Sequence, residues 1–87
     1  MVPEDLRSLF WDTNLERFNP RDYPVYTVER VLEHGDERGV AWLVANFRRD
    51  EIRQILRTSS RLSPRSATFW ALVFEVPAEE VTVLHNV

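Results

Sequence analysis

Residues 61–74, RLSPRSATFWALVF, combine a helix start with a run of apolar and aromatic side chains. Ser63 is a preferred N-cap residue, and Pro64 is favoured at the first helical position. At about 100° per residue, Trp70 and Phe74 lie on one side of the helix, and other apolar side chains occupy the opposite side. A helix that is apolar on most of its circumference is usually buried. The stretch therefore predicts the central helix of a small core.

Helix signals recur through the rest of the chain, which has only two glycines. Prolines and turn formers dominate residues 11–23, and we expect an irregular connection there. The tail, residues 82–87, is expected to be either a docked extended segment or frayed. The pattern predicts an all-α fold, one compact domain over residues 1–87 with about five short helices. The first helix is expected after Pro3, and the second begins at Tyr23 or Pro24 with Asp22 as its N-cap candidate. The third helix follows the N-cap Asp36, the fourth runs from residue 49 or 50 to 58, and the fifth follows the N-cap Ser63.

Three of the expected helices have a clear apolar face. Their apolar residues recur at steps of three and four, which is the spacing of one side of a helix, so we expect them in the core. Gly35 stands where the C-terminal cap of the second helix belongs. The apolar faces are Val25, Val28, Val31 and Leu32 in the second helix, Val40, Leu43, Val44 and Phe47 in the third, and Ile52, Ile55 and Leu56 in the fourth.

Composition excludes several classes of protein. The 87 residues contain no cysteine, so disulfides, thiolate metal sites and cysteine nucleophiles are excluded and a reducing compartment fits. The first ten residues, MVPEDLRSLF, lack the basic and apolar regions of a signal peptide. The longest apolar run, FWALVF at 69–74, is far shorter than the roughly 20 residues of a membrane span. We therefore expect a cytoplasmic protein with no membrane contact.

Charge is distributed unevenly along the chain. Residues 1–47 carry five Arg against nine acids, residues 48–66 carry six Arg against two acids, and residues 67–87 carry three Glu. Within the basic stretch, Arg49, Arg53 and Arg57 recur at steps of four and share one helix face. Together with Trp42, which lies about 200° from Val40 on its helix, they form a candidate protein-binding surface. The alternatives are arginine stems covering the edge of the core and a Trp42 packed under the N-terminal segment.

The segment 50–74 also permits a second interpretation, a helix-turn-helix that binds DNA. Residues 50–58 would form its first helix, SSRL its turn and 63–74 its second helix, although the turn lacks the usual glycine. A recognition helix keeps a polar face for base edges. The available residues are Arg61, Arg65, Ser66 and Thr68, and Arg53 and Arg57 would face phosphates.

Catalytic chemistry has almost no support in the sequence. His34 and His85 are far apart and each stands at the end of an element. Metal-ligand spacings and a glycine-rich phosphate loop do not occur, and Ser63 is accounted for by capping. We expect a protein that is not an enzyme, with no catalytic or metal-binding residue, no cofactor and no small-molecule substrate.

Several segments together resemble a family of small prokaryotic proteins without an assigned function. The resemblance covers about residues 6–81, and Ser66 stands where the family more often has Thr. Such proteins resemble the small partners encoded beside nucleotidyltransferase-type toxins of the AbiEii kind. The resemblance implies an antitoxin-like or regulatory protein that docks on a partner protein. The segments are LFWD at 9–12, VERVLEHGD at 28–36, WLVANF at 42–47, EIRQIL at 51–56 and RLSPRSATFWALVF at 61–74.

Overall fold

A computed structural model describes residues 4–10 and 19–85 of the chain, and within these residues it contains helices and turns but no strand. The all-α prediction is therefore confirmed. The five α-helices are α1 (Pro24–His34), α2 (Glu37–Asn46), α3 (Arg49–Thr58), α4 (Pro64–Val73) and α5 (Thr82–His85), and 3-10 helices span Glu4–Phe10, Pro20–Asp22 and Ala78–Glu80.

The entry into α1 differs from the sequence prediction. Asp22 was expected to cap α1, but it belongs to the 3-10 helix that precedes α1. Asn19 caps that short helix, since its side chain accepts a hydrogen bond from the Arg21 N–H at 3.0 Å. Tyr23 occupies the N-cap position of α1 without a side-chain cap bond, and Pro24 supplies the first helical residue. The expected irregular connection thus contains a helical turn over 20–22, while its residues 11–18 lie outside the described residues.

The connection between α1 and α2 is only two residues long. Gly35 ends α1 in an extended conformation, with φ −82° and ψ 165°, rather than in the left-handed one. Its N–H donates to the Val31 carbonyl at 2.8 Å, and a Cβ at this position would lie only 2.6 Å from that carbonyl oxygen. Close backbone approach is therefore the reason for glycine here. Asp36 caps α2 as predicted, since its carboxylate accepts from the N–H groups of Arg38 and Gly39.

Helix α1 lies at the centre of the molecule and contacts α2, α3, α4 and both N-terminal 3-10 helices. This finding corrects the prediction that α4 is the central helix. In α4, Ala67 and Ala71 are buried, but Phe69, Leu72 and Val73 are exposed. The core side chains are Phe10, Val28, Val31, Leu32, Leu43, Phe47, Ile52, Ile55, Leu56, Leu62, Ala67, Ala71, Phe74, Val76 and Val81.

The chain after α4 folds back onto the core. Val76 and Val81 are buried, and Val83 and Leu84 of α5 pack against the core. The tail is therefore docked over residues 82–85, as a helical turn instead of an extended segment, and residues 86–87 lie outside the described part. In the described residues, none of the helices has the length and apolar character that a membrane crossing requires.

Candidate functional site

The three arginines of α3 lie on one side of that helix, as their spacing predicts, and they contact the chain that follows α4. The Arg49 guanidinium pairs with the Glu75 carboxylate at 3.2 Å. Arg53 donates to the Glu75 backbone carbonyl at 3.1 Å, and Arg57 donates to the Glu80 carboxylate at 2.8 Å. The arginines therefore fasten residues 75–80 to α3 and do not form an open basic stripe.

Arg53 is the most constrained of the three. Its side chain is partly buried, and its Nε lies inside the fold without a hydrogen-bond partner. Arg49 also lies over the ring of Phe74, with 5.5 Å between the guanidinium carbon and the ring centroid. Arg53 therefore lies partly inside the fold and Arg49 lies over the core residue Phe74, which agrees with the alternative interpretation that these arginines cover the edge of the core.

Trp42 is partly buried and packs against the core. Its ring meets the Phe47 ring edge-on, with 6.4 Å between the centroids and 70° between the planes. In the described part of the chain, no ring contact or hydrogen bond joins Trp42 to the α3 arginines. The four residues proposed for partner binding therefore do not form one joint surface through direct contacts.

The residues proposed for DNA binding lie around the turn from α3 to α4. The side chains of Arg61 and Arg65 are exposed. Ser66 is partly buried, and its N–H donates to the capping hydroxyl of Ser63 at 3.2 Å. The Thr68 hydroxyl donates back to the Pro64 carbonyl at 2.7 Å. Only the two arginines thus present their functional groups freely to a ligand.

Two carboxylates of α1 hold this turn in place. The Ser59 hydroxyl donates to Glu29, and the Ser63 N–H donates to Glu33 at 2.9 Å. Burial raises the pKa of Glu33, but hydrogen bonds from Ser63 and Ser66 and the nearby His34 outweigh it, so the pKa lies below its ordinary value. An ionised carboxylate therefore occupies the N-terminus of α4, the position where a helix would bind a phosphate.

Large exposed apolar side chains lie on α2, on α4 and at the start of α1, where Tyr23 is 58% and Val25 49% exposed, although Val25 belongs to the predicted apolar face of that helix. Leu72 is 77% exposed, Phe69 55% and Val44 51%, although Val44 was predicted to lie in the core. An open groove of about 680 Å³ runs between α2 and α4. Apolar side chains form its walls, and two carboxylates stand at the start of α2. The lining residues are Gly35, Asp36, Glu37, Val40, Ala41, Val44, Phe69 and Trp70.

Trp70 separates this groove from the core. Its indole Nε1 donates to the Leu32 carbonyl at 2.6 Å, and its ring stands edge-on to Phe69 with 4.7 Å between the centroids. The groove wall is therefore fixed to α1 by a hydrogen bond. The sequence contained a signal for this surface, since the apolar residues of α4 occur on both sides of its helical wheel.

Titratable side chains gather beside α1, where a cavity of about 210 Å³ is lined by Tyr26, Glu29, Arg30, Glu33, His34 and Arg61. His34 is exposed at the end of α1. Within residues 4–10 and 19–85, no group of three or more His, Asp or Glu side chains could hold a metal ion. The groove between α2 and α4 combines an open volume with apolar walls, and it is the candidate docking site.

Fold and surface together define a small all-helical domain with an exposed apolar groove. The chain belongs to a family of unknown function, DUF6922, whose family model matches residues 6–56. The predicted membership of an uncharacterised family is thus confirmed for this part of the chain, and the match ends before the segment 61–74. No curated protein and no solved structure matches the chain.

Proposed function

We propose that this protein is a non-enzymatic binding module that docks on a partner protein through the groove between α2 and α4. The observation that supports this role is the apolar character of an open surface. Val44 and Phe69 are both about half exposed, and nothing in the described residues covers them. Exposed apolar surface of this kind marks interaction sites in proteins that are otherwise well packed.

The chemistry of the groove indicates what occupies it. Asp36 and Glu37 stand at one end, and the lining contains no arginine or histidine. The Asp36 carboxylate already caps α2, whereas Glu37 is exposed and has no ion pair with a described residue. The fitting occupant is a partner helix with apolar anchors at steps of three and four and a Lys or Arg near Glu37.

The groove is a better docking surface than the arginines of α3. A partner carboxylate that approached Arg49 or Arg57 would have to displace Glu75 or Glu80. The groove needs no such rearrangement. We therefore assign partner binding to the side chains of the groove, and not to Trp42 and the α3 arginines proposed from the sequence.

The partner we favour is a nucleotidyltransferase-type toxin, which makes this chain antitoxin-like. Support comes from the motif resemblance described above, and the lack of cysteine agrees with action in the cytoplasm. The role needs only binding, which agrees with a surface that has apolar anchors and no gathered catalytic groups.

Co-expression with the product of the neighbouring gene tests the proposal. We expect a complex that survives size-exclusion chromatography and relief of the partner's toxicity. Val44→Asp places a charge in the groove and should abolish both effects. Ala45→Asp is the matched control, because Ala45 is exposed on the same helix but does not line the groove. If no complex forms, the docking role is wrong; if both variants bind equally, the groove is the wrong surface.

DNA binding through a helix-turn-helix is the alternative, and the exposed Arg61 and Arg65 beside the α3–α4 turn favour it. Glu33 counts against it, since its carboxylate would repel a phosphate at the start of α4. A gel shift on the protein's own promoter at low salt separates the two roles. Binding that weakens with salt and is lost in Arg61→Ala/Arg65→Ala would support the alternative.

A further inference from the structure

The outward face of α4 is a second apolar surface, distinct from the groove. On a helical wheel, Leu72 and Phe69 lie opposite the buried Ala67 and Ala71, and Arg65 lies between Leu72 and Phe69. Leu72 is 77% exposed, the largest value among the large apolar side chains of the described residues. Leu72 does not line the groove, so the groove's occupant leaves this side chain in water.

The charges at the two ends of this face are placed against the helix's own dipole. Acids are favoured at a helix N-terminus and bases at its C-terminus. Here the first turn of α4 contains no acid and its last turn no base. Arg65 stands in the first turn, and Glu75 comes directly after the C-cap residue Phe74, where its side chain is 81% exposed and pairs with Arg49. The dipole of α4 alone does not favour a base at its N-terminus and an acid at its C-terminus.

An antiparallel neighbour reverses the relation between charge and dipole. Beside a second helix that runs the opposite way, Arg65 would lie near that helix's negative C-terminus and Glu75 near its positive N-terminus. Arg65 has no hydrogen bond or ion pair with a described residue. It is therefore free to meet a carboxylate from outside the chain.

We infer that two copies of this chain associate through α4, antiparallel about a two-fold axis. Leu72 and Phe69 of each copy pack against the same residues of the other, and Arg65 pairs with Glu75 of the partner subunit. Arg65 stands in the first turn of α4 and Glu75 just beyond its C-terminal end, so in each copy the two charges mark opposite ends of the same helix. A two-fold interface needs a self-complementary surface, and an apolar face with one cation and one anion at its ends is self-complementary.

A second copy is a better occupant than an unrelated partner helix. It supplies a matching apolar face, an anion for Arg65 and a second cation for the Glu75 carboxylate, whose side chain stays 81% exposed in its pair with Arg49. Phe69 borders both surfaces, while Leu72 belongs to this face and Val44 to the groove. Self-association therefore goes beyond the proposed function and can be tested separately from it.

Light scattering coupled to size-exclusion chromatography, run on the full chain up to about 0.5 mM, measures the association. We expect a concentration-dependent dimer for the wild-type chain and a monomer for Leu72→Glu. Gln54→Glu is the matched control with the same charge change, since Gln54 is exposed on α3 and outside this face. A wild-type chain that stays monomeric, or a Leu72→Glu variant that dimerises as well as the control, would overturn the inference.

A charge exchange tests the antiparallel arrangement. Arg65→Glu and Glu75→Arg each create two like-charge contacts in a two-fold dimer, so each should raise the dissociation constant by about tenfold or more. Mixing the two variants restores opposite charges at both contacts and should yield a heterodimer near wild-type affinity. Circular dichroism establishes that both variants are folded. A mixture that associates no better than either variant alone contradicts the antiparallel pairing.

Discussion

Glu75 offers a sharp test of the backbone geometry at the end of α4. Its φ of 57° is the one positive value among non-glycine residues of the described chain. The Val76 N–H donates to the Ala71 carbonyl at 2.8 Å and the Glu75 N–H to the Leu72 carbonyl at 3.4 Å. This Schellman arrangement requires a left-handed residue directly after the helix cap, and glycine usually fills that position. We predict that Glu75→Gly is more stable than Glu75→Ala.

The size of the difference follows from the contacts. A left-handed conformation costs an L-residue roughly 1–2 kcal/mol, which alanine retains and glycine avoids. Greater freedom of glycine in the unfolded chain offsets about 0.4–1 kcal/mol of this gain. Both variants lose the Arg49 ion pair, which is exposed and worth about 0–1 kcal/mol. Both keep the carbonyl that Arg53 contacts. Glycine should therefore exceed alanine by about 1 kcal/mol in unfolding free energy.

Thermal unfolding of the two variants, followed by circular dichroism in dilute solution, measures this difference. For a domain of this size, 1 kcal/mol corresponds to about 4–8 °C in Tm. The comparison is insensitive to the lost carboxylate, including any contact it makes with a second copy, because both variants lack it. An alanine variant that melts at or above the glycine variant would refute a left-handed residue 75.

Two further predictions concern the contacts that α1 makes with the turn and with α4. Glu33→Gln should lower stability at neutral pH by about 1 kcal/mol, because a neutral amide is a weaker acceptor for the Ser63 N–H. Since the folded pKa of Glu33 is lowered, its contribution is present above the unfolded value of about 4.3 and is lost as the pH falls through the folded value. Urea titrations at several pH values should therefore show the wild type and variant converging in acid, and a constant gap would contradict this assignment. Trp70→Phe should cost about 1–3 kcal/mol, because the Leu32 carbonyl loses its donor and the groove wall loses volume; an unchanged urea midpoint would show that this hydrogen bond contributes nothing.

Local chemistry made most of the fold predictable. Asp36 and Ser63 cap their helices through their own side chains, and Pro24 and Pro64 each begin one. These signals depend on residues within one turn of each other, which the sequence displays directly. The apolar face of α3 was predictable for the same reason, since its spacing alone decides which side meets the core.

The ion pairs of the α3 arginines could not be predicted, because the glutamates that they bind lie far along the chain. Arg57 meets Glu80 across 23 residues and Arg49 meets Glu75 across 26. Periodicity places a side chain on a helix face but does not say which distant segment covers that face. The same limit explains Val44, which has the correct spacing for the core yet is 51% exposed in the wall of the groove.

The candidate site was predicted in part. The apolar residues of α4 were recognised, but they were interpreted as a buried helix because the sequence does not show how many neighbours a helix has. The carboxylates of Glu29 and Glu33 were not recognised as holders of the α3–α4 turn, since each acts across 30 residues. Their presence changes the electrostatics of that turn and weakens the case for DNA.

The central position of α1 has a consequence for how the molecule comes apart. Every one of the helices α2, α3 and α4 rests on α1, so detaching any of them uncovers part of the same buried face. Val28 and Val31 of α1 are fully buried in the assembled fold. Partial opening is therefore disfavoured, and the amide protons of α1 should exchange with solvent only when the whole chain unfolds.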